Sequence, residues 1–109
     1  MTLLSLRVQR SGTKQSRPGY LYLMMNKVHT VIYTGVTSNL QKRIYEHKEG
    51  ITGGFTTQYH VHKLVYYEVF DDIQNAILRE KQLKGGSRER KMSLIRKSNP
   101  DFKDLYDQL

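Results

Sequence analysis

Three groups of side chains in this sequence could handle a proton or a phosphate. Glu80 lies seven residues after Ile73, in a stretch whose apolar face is drawn by Ile73, Ala76, Ile77 and Leu83 or Lys84. A helix there carries the carboxylate onto the face that turns toward the core. A carboxylate so placed costs roughly several kcal/mol unless a cation compensates it. Two readings are open: a rim glutamate paired with Lys84 or Arg43, or a ligand for a hard divalent ion. Magnesium is often held by a single protein carboxylate, with water and phosphate oxygens completing its shell.

Arg43 and His47 are four apart and share a helical face. Arg43 adjoins the Leu40/Ile44 stripe, at the edge of the buried side, where its planar fork could grip a phosphate or pair with Glu46 or Glu49. Tyr20 and Tyr22 are two apart on one strand face, and Tyr33 follows on the next strand. Most strand tyrosines simply pack. A phenol can also bond to, or deprotonate, a water when a metal or cations lower its pKa. His60 and His62 flank Val61 and on a strand would face one way, but no third ligand comes within reach to complete a zinc site. Tyr59, Tyr66, Tyr67 and Phe70 read as core and strand-pairing residues. Gly53-Gly54 lacks the lysine and the spacing of a phosphate-binding loop.

The elements that must position these groups are legible from pattern. Tyr20 to Met25 is an apolar and aromatic run, Asn26 to His29 a turn, and Thr30 to Thr34 a β-branched and aromatic run ended by Gly35, together a β-hairpin. Ser38 or Asn39 caps a helix to about His47. Gly50 and Gly53-Gly54 mark a loop, and Lys63 to Phe70 a third strand. Asp71 or Asp72 caps a helix over Ile73 to Lys84, stopped by Gly85-Gly86. Ser87 opens a basic helix to about Lys97. Asn99-Pro100 supplies a cap and a first-turn proline for a closing helix with Phe102, Leu105, Tyr106 and Leu109 on one face. The order predicts an α+β domain: a small, three-stranded, mostly antiparallel sheet flanked by helices, with further helices at the C-terminus.

The chain of 109 residues has room for one core. We expect a basic, flexible tail over residues 1–18 and a single domain over 19–109. No cysteine is present, which removes disulfides, thiolate zinc sites and cysteine nucleophiles. The tail places its short apolar patch (Leu3, Leu4, Leu6) before its charges (Arg7, Arg10, Lys14, Arg17), the reverse of a secretory signal. With no apolar run of the roughly 18 to 20 residues that span a bilayer, a cytoplasmic protein without a membrane partner is expected. The formal net charge of +8 favours a polyanion partner. The excess is localised: Lys84, Arg88, Arg90, Lys91, Arg96 and Lys97 stand against the single acid Glu89, while three aspartates and one lysine fall in the last nine residues.

Taken together, these residues resemble a known signature. Tyr20-Leu21-Tyr22, ten further residues, Tyr33-Thr34-Gly35, and Arg43 eight after the glycine resemble the GIY-YIG endonuclease motif. Tyr45-Glu46-His47 and the helix bearing Arg79-Glu80-Lys81 extend the likeness over about Gly19 to Lys84. The last eleven residues, 99–109, look like the short bacterial stand-alone branch. Tyr20 and Leu21 stand where the first motif is named for glycine and isoleucine, and Thr34 where the second has isoleucine; these are backbone or packing positions. A helical asparagine found in some relatives has no clear match after Glu80, since Asn99 comes later.

The resemblance implies roles. Tyr22 and Tyr33 match the motif tyrosines, Gly35 the motif glycine that lets the backbone approach closely. Arg43 matches the arginine on the scissile phosphate, His47 a position near the nucleophile, and Glu80 the single metal-ligating glutamate. It further implies hydrolysis of nucleic acid, DNA above RNA, with one Mg²⁺ or Mn²⁺ ion on Glu80 and low sequence specificity, in repair or recombination. The alternative is a non-catalytic nucleic-acid-binding module of the same fold. The basic helix (Lys84 to Lys97) would supply phosphate contacts, which position without specifying. A monomer or weak dimer is expected.

Overall fold

The computed structural model describes residues 17–51 and 53–109. The expected basic tail falls, over residues 1–16, outside them; at its end the Arg17 carbonyl accepts a hydrogen bond from the Ile73 N–H at 3.0 Å.

β1 (Gly19–Met25) is the middle strand of an antiparallel sheet, between β2 (Ile32–Thr37) and β3 (Lys63–Phe70). Because successive strand residues point to opposite faces, β1 supplies two separate cores. Tyr22 and Met24 pack with Leu40, Ile44, Val61 and Leu64 on one side. Leu23 and Met25 pack with Val65 and Ile95 on the other. Fully burying each such aliphatic chain contributes about 1.5–3 kcal/mol.

On the first face lies α1 (Leu40–Lys48), whose N-cap Asn39 accepts the Lys42 N–H at 3.2 Å and whose last turn carries Lys48, suited to the negative end of the helix dipole. A short helix, α2 (Gly54–Gln58), follows. On the second face lie α3 (Ile73–Lys84), capped by Asp72, and α4 (Arg88–Ser98), capped by Ser87. A Cβ at Gly19 would stand 2.5 Å from the Ile73 Cα, so the glycine is what lets α3 seat against β1. Arg79 then clamps α3 to β3 through a two-pronged bond to Glu68, at 2.9 and 3.0 Å. The Tyr66 hydroxyl also donates to Glu68, and its pKa is pushed up to about 12, by burial first and that carboxylate second.

Three expectations need correction. Gly35 does not end β2; it pairs with Tyr22 and the strand continues to Thr37. The segment around Gly53-Gly54 is not all loop, since both glycines take positive φ and launch α2. The chain after Pro100 forms no α-helix: Phe102 has φ 53° and only a 3₁₀ turn, η1 (Leu105–Gln108), follows, its Tyr106 N–H capped by Asp104.

Asn99 caps the C-terminus of α4 rather than the start of a closing helix, and its side chain has a further task. The β1/β3 register slips between Leu23 and Met24, leaving Val65 as the extra residue of a bulge. The Asn99 side chain, 6 % exposed, donates to the Val65 carbonyl at 3.1 Å and to the Lys103 carbonyl at 2.9 Å. Its amide therefore satisfies groups that the bulge and the turn leave open. Asp104 bonds Lys48 and the Leu64 N–H, tying η1 to α1 and β3. No helix among the described residues is long and apolar enough to cross a membrane.

Candidate active site

Tyr22 reaches the site because Gly35 lies opposite it in the ladder. A Cβ at Gly35 would stand 2.5 Å from the Tyr22 Cζ and hydroxyl oxygen, so the ring occupies the space a side chain would fill. The hydroxyl then meets His47 Nε2 at 2.9 Å. The Tyr33 ring closes the group, with centroids 6.2 Å from Tyr22 and 5.4 Å from His47. The i, i+4 spacing on α1 turns both Arg43 and His47 toward these rings. Arg43 acts on the Tyr22 hydroxyl through its charge.

The electrostatics follow from burial. Tyr22 and His47 are each 1 % exposed. The Tyr22 phenol is held well above its ordinary range, first by burial and then by Tyr33, with Arg43 opposing and Glu80 adding a smaller push. His47 is lowered to about 4, first by burial and then by the Arg43 charge. The imidazole is therefore neutral at pH 7. Its Nδ1 lies 3.0 Å from the Thr56 Oγ1.

Tyr33, Arg43, His47, Gly53, Phe55 and Thr56 line a hollow of about 150 Å³. Arg43 also borders a second hollow of about 220 Å³ along Val36 to Asn39. The guanidinium, partly exposed, bonds Glu46 at 3.3 Å, so of its two expected partners Glu46 is the one it takes.

Glu80 comes from the other face of the sheet. Its effect on Tyr22 puts it within electrostatic reach of the group across β2, the edge strand. Its carboxylate, 21 % exposed, pairs with Lys84 at 3.1 Å. That is the rim pairing of the first reading, and it does not bar the second: Lys84 is 57 % exposed and flexible, and the carboxylate already faces a cation. Among the described residues no three His, Asp or Glu gather, so the donor set suits an ion that takes one carboxylate and fills its shell from water and phosphate.

The basic helix does not join this group. Ile95 of α4 packs with Leu23 and Met25, whereas Arg43 and His47 sit on the α1 face. Lys84, Arg88, Arg90, Arg96 and Lys97 are exposed and Lys91 partly so, on the side of the sheet away from the hollow. Asn99 also stays outside. His60 has φ 57° and β3 begins only at Lys63, so His60 and His62 are not a strand pair; their rings stand 6.2 Å apart. Tyr59, expected in the core, is 45 % exposed and stacks on Phe55 at 4.8 Å.

Sequence reasoning missed Thr56 and Phe55. The one available signal was the pair Gly53-Gly54, which marked a special backbone without saying that it delivers a hydroxyl and a ring to His47 and Tyr33.

A family model described as the GIY-YIG catalytic domain matches residues 18–93, a span holding Tyr22, Tyr33, Gly35, Arg43, His47 and Glu80. The chain belongs to the GIY-YIG family. Its relatives are UPF0213 proteins, a small stand-alone GIY-YIG group. One from Syntrophus aciditrophicus is 39% identical over 83 residues, covering 75% of this chain and 93% of the relative. Another, from Desulfotalea psychrophila, is 32% identical over 100 residues, covering 91% and 89%. The solution NMR structure of a UPF0213 protein from Bacillus halodurans superposes with a TM-score of 0.52 at 25% identity, covering 81% of this chain and 93% of that one. The three-stranded antiparallel sheet with its helices is thus the GIY-YIG α+β fold.

Proposed function

We propose that this GIY-YIG domain is a divalent-metal-dependent endonuclease that hydrolyses nucleic-acid phosphodiesters, DNA above RNA, with low sequence specificity. The observation that carries the proposal is the meeting of Tyr22, Tyr33, Arg43 and His47, from two strands and a helix, beside a hollow that Tyr33, Arg43 and His47 line. An arginine beside a neutral Tyr22 phenol and a neutral imidazole suits a phosphate and a proton transfer.

Arg43 forks onto the phosphate oxygens and stabilises the charge that develops as water attacks. Tyr33, at the hollow, orients that water. In this reading the attacking water approaches the Tyr22 oxygen from the side of Arg43, whose charge acts on that hydroxyl. As the water oxygen bonds to phosphorus, its proton passes to Tyr22, whose own proton moves to His47 Nε2. The phosphorus–ester bond breaks and the leaving oxygen takes a proton from solvent; His47 later returns its proton to water. The phosphate neutralises Arg43, which removes the second cause of His47's low basicity, so the acceptor strengthens when substrate binds. Glu80 is the residue that would hold one Mg²⁺ or Mn²⁺, an ion that polarises the phosphate and steadies the leaving oxygen.

The Glu80–Lys84 pair favours one other reading, a nucleic-acid-binding module without turnover. The deciding experiment is cleavage of supercoiled plasmid and branched DNA with magnesium or manganese, comparing the wild type with Glu80→Ala and Arg43→Ala. Metal-dependent cutting lost in both variants supports the nuclease. Equal cutting by all three marks a contaminant and sinks it. Tight, salt-sensitive binding with no cutting replaces it with the binding module.

A further inference from the structure

Thr56 is a buried partner of the imidazole, at the ring nitrogen that Tyr22 does not face. Thr56 is 2 % exposed and sits in α2, an element with no motif residue in it. A neutral imidazole has one N–H and one lone pair. Each ring nitrogen here faces a hydroxyl: Nε2 faces Tyr22 at 2.9 Å and Nδ1 faces Thr56 at 3.0 Å. The ambiguity is resolved from the Tyr22 end. The Arg43 charge acts on the Tyr22 phenol, and an O–H dipole beside a cation turns its oxygen toward that cation. The phenol O–H is then directed at Nε2, which must present its lone pair. The remaining proton lies on Nδ1 and needs an acceptor, because a buried N–H left without one is penalised.

We propose that Thr56 is a positioning residue: its Oγ1 accepts from His47 Nδ1–H and so holds the imidazole in the tautomer whose Nε2 can take the Tyr22 proton. The inference rests on the nuclease reading for its purpose, but not for its structural content. A third group that orients a base is a recurring device in proton-transfer sites. It differs here in being a neutral hydroxyl, which does not raise the charge of a pocket already facing Arg43, Glu46 and His62. The Nε2–H tautomer would aim a donor at the Tyr22 oxygen and block the transfer.

The test is a long-range ¹H–¹⁵N correlation spectrum of the full chain with ¹⁵N-labelled histidine, read without substrate at pH 7, for the wild type, Thr56→Val and Thr56→Ser. The wild type and Thr56→Ser are expected to show His47 as the Nδ1–H tautomer. Thr56→Val, which keeps the shape and loses the hydroxyl, is expected to shift it to a mixture or to Nε2–H. Cleavage assays on the same proteins should show kcat reduced by roughly 10- to 100-fold in Thr56→Val with KM unchanged, and restored by serine. An Nε2–H tautomer in the wild type overturns the proposal, and so does an unmoved tautomer in Thr56→Val. If Thr56→Val does not fold, Thr56→Ser still decides: a serine variant with a shifted tautomer refutes the hydroxyl's role. The predicted tautomers without cleavage by any variant leave the Thr56 assignment standing and refute the nuclease.

Discussion

The two faces of the sheet are fed by alternate residues of one strand, yet they are built on different principles. The α3/α4 face buries Leu23, Met25, Val65 and Ile95, leaves the charges of α4 outside, and holds the Arg79–Glu68 pair half-buried at its edge. The α1 face buries a polar chain, Tyr22 to His47 to Thr56, beneath a hollow bordered by Arg43. Apolar burial is non-directional, so the first face depends on volume. A buried hydrogen-bonded chain depends on geometry, because each group left unpaired is penalised. The difference teaches where to expect lost stability and where to expect lost chemistry. Substitutions on the α3/α4 face should move the unfolding equilibrium. Small displacements on the α1 face should move the rate.

The sharpest way to break this contrast is Gly35→Ala. Its Cβ would meet the Tyr22 ring 2.5 Å away, and the ring must shift. Misplacing a reacting group by about 1 Å can cost roughly 100-fold in rate, so we expect kcat to fall by that order while stability falls by only about 1–3 kcal/mol. Plasmid cleavage beside urea denaturation checks both numbers. A variant as active as the wild type would mean that the Tyr22 position does not govern the reaction.

Ile95→Ala is the counterpart on the other face. Ile95 is fully buried, and truncation there should cost about 2–5 kcal/mol. The rate per folded molecule should stay within about twofold, measured well below the unfolding transition. A large fall in rate with little loss of stability would show that the two faces are coupled.

Acid titration sharpens the comparison through His47. Its pKa is lowered to about 4 in the fold against about 6.5 in an unfolded chain, so the unfolded state takes the proton first. No penalty exists above about pH 6.5. Stability then falls as pH drops from about 6.5 to 4, by about 3 kcal/mol in total. His47→Asn should flatten that slope when stability is measured by denaturant at several pH values. An unchanged slope would place the acid sensitivity elsewhere.

The smallest effect is expected on α4. Replacing Arg90 and Lys97 with alanine should raise KM and lessen the salt dependence of DNA binding, by about one unit of log–log slope for each phosphate no longer neutralised. kcat should not move, because α4 faces away from the hollow. Unchanged binding at every salt concentration would remove α4 from the nucleic-acid surface.

Much of this was legible along the chain, and the reason is locality. β3 and α3 have the boundaries their patterning and caps announce, Lys63–Phe70 and Ile73–Lys84, because strand alternation, an aspartate cap and a terminal glycine pair act within a few residues. The i, i+4 spacing of Arg43 and His47 also follows from helix geometry alone. The closing segment shows where locality fails. Asn99-Pro100 has the composition of a helix start, but a bulge at Val65, 34 residues away, claims the Asn99 amide and turns the chain instead.

By itself, the sequence determined the α+β order, the localised basic charge, the GIY-YIG signature and the residues that could meet a phosphate. Local propensity and periodicity are written in neighbours, and the signature is a spacing. Only the tertiary structure decided that Tyr22 lies over Gly35, that His47 is buried and neutral between two hydroxyls, that Thr56 belongs with it, and that the basic helix sits on the far face. Those facts depend on which groups exclude water from one another and which donors meet which acceptors across the fold. Burial, pKa and tautomer are properties of such an enclosure, and no single stretch of chain contains one.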